Sequence, residues 1–80
     1  MSESLTEDVI KSTWGKVLKE EVDENTDFFE AGGDSLAAVT ICSRLEELLN
    51  VRPELWLIFD NPRLADFVQE YSRLVGKGDR

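Results

Sequence analysis

The stretch with the most chemical content in this 80-residue chain is Phe28-Phe29-Glu30-Ala31-Gly32-Gly33-Asp34-Ser35-Leu36, where one serine hydroxyl follows a glycine pair and a carboxylate. Three chemistries use such a serine or its surroundings. As a nucleophile, Ser35 needs a base to take its proton, usually a histidine oriented by a carboxylate. The chain has no histidine, and its pattern lacks the α/β sheet that carries a nucleophile elbow, so hydrolysis is set aside. As part of a calcium loop, Asp23, Asn25 and Asp27 would take the first, third and fifth positions of a helix-loop-helix site closing at Asp34. That pattern breaks at Phe28, which stands where glycine must make the sharp turn, and at Asp34, one methylene shorter than the usual bidentate glutamate. A solvated acidic loop is the plainer reading, and a calcium-binding module using residues 23–34 is kept as the alternative. In the third chemistry Ser35 is an acceptor. At the first turn of a helix, unpaired N–H groups and the positive dipole end favour a phosphate ester, and the plain competing role there is a helix cap.

The elements that would position this serine are helical. Ser4 followed by Glu7 is a capping-box pattern that predicts a first helix running to about Glu20, with Val9, Ile10, Thr13, Trp14, Val17 and Leu18 on its inner side. Periodicity stops between Glu20 and Asp34, a long loop for so small a domain and hence one with a task of its own. At least one ring of Phe28 and Phe29 should anchor it, and Gly32 and Gly33 allow positive φ or close backbone approach. A second helix is expected from Asp34 or Ser35 to about Asn50, a left-handed terminator. Ala38, Ile41, Cys42, Leu45 and Leu49 form its core face, while Leu36, Val39, Thr40, Ser43 and Glu47 share the opposite one. Pro53 opens a short third helix in which Leu55, Ile58 and Phe59 share a side and Trp56 and Leu57 point elsewhere. Asn61-Pro62 reads as a cap and first residue of a last helix, with Leu64, Phe67, Val68, Tyr71, Leu74 and Val75 inward. Gly76 ends it, and 76–80 form a flexible tail. The predicted fold class is all-α, a small four-helix bundle of three main helices and a short third one, as a single domain over 1–80 with its core at about 5–75.

Composition agrees with a folded domain: 41% of the residues are hydrophobic and 32% charged. The formal net charge of −8 opposes nucleic acid and acidic lipid and favours partners with basic patches. Cys42 is the single cysteine, so no internal disulfide exists, and its place on the inner face makes it a small buried hydrophobe. Trp14 and Tyr71 are assigned to the core, Glu46 and Glu47 to a solvated face open to basic partners. With no export signal or membrane-length apolar run, a cytoplasmic monomer is expected.

Two segments taken together are more specific than either alone. Residues 26–39, TDFFEAGGDSLAAV, and residues 58–67, IFDNPRLADF, resemble the phosphopantetheine-binding carrier proteins, and the glycine pair before Asp34-Ser35-Leu36 is most similar to the peptidyl (thiolation) branch of nonribosomal peptide synthesis. The resemblance runs from about Thr6 to Tyr71. It implies an acyl-carrier-protein-like bundle, not an enzyme. A phosphopantetheinyl transferase, holding magnesium, would place 4'-phosphopantetheine from coenzyme A on Ser35. An adenylation enzyme would load an aminoacyl or acyl group as a thioester, and condensation or tailoring enzymes would use it, as in antibiotic biosynthesis. Asp34 and Leu36 would be read by the modifying enzyme; Leu36, Val39, Thr40, Ser43, Trp56 and Leu57 would form the partner surface. One departure is Ala31, where the family commonly has a larger aliphatic residue, so looser loop packing is expected. The short ends suggest a free-standing carrier.

Overall fold

The structure is a computed structural model that describes residues 2–78, with backbone alone at 2–5 and 76–78. Four helices follow in order: α1 (Ser2–Leu18), α2 (Ser35–Leu49), α3 (Leu55–Asp60) and α4 (Leu64–Gly78). α1 packs on α2 and α4, and the short α3 closes the remaining side between α2 and α4. The expected four-helix bundle is the observed one.

The core is where periodicity puts it along the long helices. Ile10 and Trp14 of α1, Ala38, Ile41, Cys42 and Leu45 of α2, and Leu64, Phe67 and Tyr71 of α4 are fully buried, with Phe28 of the loop among them. Each large apolar side chain so buried contributes about 1.5–3 kcal/mol of transfer free energy. Tyr71 stacks on Phe67 at 5.7 Å, and its hydroxyl donates to the Val51 carbonyl at 2.5 Å, tying the α2–α3 connection to α4. Burial pushes the Tyr71 phenol up to about 12, with Cys42 and Glu46 adding to the rise.

Several element ends differ from expectation. α1 begins at Ser2, so Ser4 lies inside the helix and does not cap it, and it stops at Leu18 because Lys19 turns left-handed with φ 59°. α4 starts at Leu64, not Pro62. The reason is tertiary: the Pro62 carbonyl accepts from the Phe28 N–H at 2.7 Å, and Arg63 bridges Asp27 in an extended pairing. The first N–H groups of α4 are then capped by loop carbonyls, Leu64 bonding to Thr26 at 2.9 Å and Ala65 to Glu24 at 3.1 Å. Asn61 instead closes α3, its backbone and side-chain N–H groups both donating to the Leu57 carbonyl. α4 also continues through Gly76 to Gly78; of the expected tail, Asp79 and Arg80 lie outside the described residues.

α3 is turned differently from its predicted orientation. It starts at Leu55, two residues after Pro53, and buries Leu57 and Ile58, leaving Leu55 and Phe59 exposed. Five consecutive apolar residues fit almost any rotation of so short a helix, and the choice is made by which pair fills the gap between α2 and α4. On α4 the inner stripe holds at Leu64, Phe67 and Tyr71, and fades outward through half-buried Val68 and Val75 to exposed Leu74.

Candidate functional site at the start of helix α2

The loop that delivers Ser35 is pinned from both sides. Its Asp27 carboxylate accepts from the N–H groups of Phe29 (2.9 Å) and Glu30 (3.1 Å), and the Phe28 and Leu64 backbone bonds hold it to the α3–α4 connection. The two sequence segments that carry the resemblance, thirty residues apart, therefore meet as one backbone junction.

The two glycines serve different ends. Gly32 has φ 94°, a conformation that side chains disfavour, with open space where a Cβ would be. Gly33 has no positive φ, but a Cβ there would lie 2.5–2.6 Å from three ring carbons of Phe28. That ring lies against the glycine backbone and edge-on to Trp14 at 5.6 Å. Gly33 also donates its N–H to the Phe28 carbonyl at 2.9 Å. Ala31 is half-buried and its N–H bonds to the Asp27 carbonyl at 2.9 Å, so the loop keeps its turn with the smaller side chain.

Asp34, not Ser35, is the cap of α2. It is extended (φ −140°) and its carboxylate accepts from the Ala37 N–H at 2.9 Å. Ser35, the first helical residue, is thereby exposed with a hydroxyl that makes no hydrogen bond among the described residues. The bland role for this serine is filled by its neighbour. A free hydroxyl beside first-turn N–H groups is an arrangement that accepts a phosphate ester, and it fits a covalently attached phosphopantetheine.

Nothing in the same geometry supports the calcium reading. Asp23 accepts from Asn25 N–H at 2.8 Å, and Asp27 and Asp34 are directed to the N–H groups named above. The carboxylates each close a local turn and do not converge, and among the described residues no cluster of three metal-ligating side chains forms.

The family signature for a phosphopantetheine attachment site matches residues 8–70. The chain belongs to the phosphopantetheine-binding family. Proteins of this family are non-catalytic carriers, which bear 4'-phosphopantetheine on a serine and hold cargo on it as a thioester. This carrier chain is 38% identical over 64 residues to bacitracin synthase 1 of Bacillus licheniformis. It is 38% identical over 65 residues to a polyketide synthase–nonribosomal peptide synthetase, phmA, of Phaeosphaeria nodorum. These matches cover 75% and 74% of the carrier chain but only 1% and 2% of the two synthases. Two solved structures share the fold. BlmI, a type-II acyl-carrier protein from Streptomyces verticillus involved in bleomycin biosynthesis, superposes with TM-score 0.85 at 23% identity, covering 92% of this chain and 90% of that one. An active-site mutant peptidyl carrier protein gives 0.80 at 21% identity, covering 89% and 80%.

The expected partner surface of the carrier is only partly formed. Leu36 is 75% exposed and Val39 37%, so both stand free on α2. Thr40 is half-buried and donates its hydroxyl to the Leu36 carbonyl. Ser43 is half-buried too, and its hydroxyl accepts from Arg52, which also pairs with Glu46 at 3.1 Å. Glu46 is thus engaged within the chain, while Glu47 is exposed. Leu57 must be corrected: at 5% exposure it is core, because α3 turns it toward α2 and α4. Trp56 is 57% exposed but shares a shallow groove with Arg73 and Leu74 of α4, on the α3–α4 flank. Sequence reasoning missed Phe29 and Phe59, which stack at 5.8 Å while remaining half exposed. A pair thirty residues apart has no periodic signal to reveal it.

Among the described residues no helix is long and apolar enough to cross a membrane.

Proposed function

We propose that Ser35 carries the phosphopantetheine arm and that the chain serves as a peptidyl carrier in nonribosomal peptide synthesis. The single observation behind this is the free, exposed hydroxyl of Ser35 beside a neighbour that already caps the helix. In the attachment step the Ser35 oxygen attacks the pyrophosphate phosphorus of coenzyme A nearest the pantetheine. A new phosphodiester O–P bond forms, adenosine 3',5'-bisphosphate departs, and the serine proton passes to a base of the transferase. When bound, the arm supplies a thiol on which an aminoacyl or acyl group is carried.

The chain's own residues present rather than react. Asp34 holds the first turn and Leu36 and Val39 offer an apolar contact beside the serine, which a transferase, an adenylation enzyme and condensation or tailoring enzymes each read in turn. Contacts of this size are few, which suits partners that must bind and release. The net charge of −8 steers basic docking faces toward them.

The test is intact-mass measurement after incubation with coenzyme A and a promiscuous phosphopantetheinyl transferase. A gain of one arm on the parent chain and none on Ser35→Ala is expected. No gain on the parent chain overturns the proposal.

A further inference from the structure

Among the described residues Arg52, Arg63 and Arg73 each pair with a carboxylate. One patch of charge is left unmatched. A groove of about 380 Å³ between α1 and α2 is lined by Asp8, Lys16, Arg44 and Glu47, and none of the four makes an ion pair among the described residues. All four are exposed, and so is Leu48 on the same groove, at 60%.

The charges are sorted along the groove. Lys16 and Arg44 also line a neighbouring groove that runs on to Asp34 and Leu36, whereas Asp8 and Glu47 do not. The patch therefore has a positive end toward the start of α2 and a negative end away from it. On α1 the row Asp8, Ser12, Lys16 spans about 12 Å by helical rise, and the small, exposed Ser12 between the two charges leaves room at the rim. Asp34, in the neighbouring groove, has its carboxylate engaged by the Ala37 N–H.

Two charges of each sign favour neither a cation nor an anion. They favour a surface bearing the same signs in the opposite order around an apolar group, and a copy of this chain turned by a two-fold rotation presents one. We propose that the groove is a self-association face for a second copy of the chain. The positive end of each copy lies on the negative end of the other, and each Leu48 enters the other copy's groove beside Val9. An isologous contact makes every such pairing twice, and burial of Leu48 adds apolar stabilisation to ion pairs that are weak at exposed positions. The contact is small and both copies are acidic, so the dissociation constant is expected at about 0.1–1 mM; the monomer expected from the sequence describes the dilute chain. Ser35 lies about 20 Å from Leu48 by helical rise along α2, which keeps both serines open, and the pairing is independent of what Ser35 carries.

Sedimentation velocity of the full chain, from micromolar to millimolar concentration, should show monomer converting to dimer. Methyl resonances of Val9 and Leu48 should move with concentration while those of Leu55 and Leu74 stay fixed. Leu48→Asp should weaken association at least tenfold. Two charge-reversed chains, Lys16→Glu with Arg44→Glu and Asp8→Lys with Glu47→Lys, their folding checked by melting temperature, should each self-associate at least tenfold less than the parent. An equimolar mixture of the two should recover the dimer, because each now complements the other. If net charge alone governed association, the less acidic Asp8→Lys, Glu47→Lys chain would dimerise more than the parent, and that result overturns the proposal. A parent chain that stays monomeric, resonances that move at Leu55 or Leu74 instead, or a mixture that does not recover also overturns it. Movement of Leu48 only when an adenylation enzyme is added assigns the face to that enzyme and overturns the second copy. None of these readouts involves the arm, so failure here leaves the Ser35 reading standing.

Discussion

Replacing Gly33 by alanine probes the contact that sets the loop before Ser35. The added methyl would sit 2.5–2.6 Å from three carbons of the Phe28 ring, where real contacts stay above 3.0 Å. The ring has little room to withdraw. It is fully buried, edge-on to Trp14 at 5.6 Å and to Phe29 at 5.4 Å, and its backbone N–H is held by Pro62. Overpacking of this kind costs about 1–3 kcal/mol. Taking ~2 kcal/mol, a domain of this size should melt ~8–16 °C lower. The cause is separable from a general glycine effect. Gly32→Ala should also destabilise, by ~1–2 kcal/mol, because of its positive φ and not because of any contact. Shrinking the ring with Phe28→Leu should therefore relieve Gly33→Ala, with a coupling of ~1 kcal/mol in urea unfolding, and should not relieve Gly32→Ala. A Gly33→Ala chain that melts with the parent, or equal coupling at both glycines, would refute the steric assignment.

Other consequences are open to direct measurement. Leu36→Asp, at a 75% exposed position, should slow transfer and loading by partner enzymes at least tenfold while the melting temperature stays within a few degrees; unchanged rates would remove Leu36 from the recognition surface. Leu57→Ala should cost ~2–5 kcal/mol in urea unfolding, as a core deletion, whereas Trp56→Ala should cost far less, and the reverse order would contradict the orientation of α3. Tyr71 keeps its proton more tightly folded than unfolded, so its contribution is complete below about pH 10 and is lost as pH rises toward about 12. Tyr71→Phe should lose ~1 kcal/mol at neutral pH with the Val51 hydrogen bond, and the stability difference from the parent should shrink across that alkaline window; a constant difference would contradict the shift.

What was legible in the sequence follows from the range of the physics. The core face of α2 could be read because Ala38, Ile41, Cys42 and Leu45 obey a local period that packing then used. Ser35 stood out because the helix start and the glycine pair are local signals. The rotation of α3 was not legible, since five adjacent apolar residues leave the choice to α2 and α4. Nor was the start of α4, which waits at Leu64 because Pro62 and Arg63 are held extended by a loop some thirty-five residues earlier in the chain. The same long-range bonding separates the roles of Gly32 and Gly33, identical letters with different constraints: one answers to its own backbone and the other to a distant ring in the core.

The most direct test of the central claim is to find which oxygen holds the arm. Chain produced together with a phosphopantetheinyl transferase should be digested and the modified peptide fragmented. The arm's mass is expected on Ser35 alone, with Ser43, Thr40 and Ser12 bare; an arm found on any other hydroxyl, or an unmodified Ser35 in a chain that has gained the arm, would contradict the assignment.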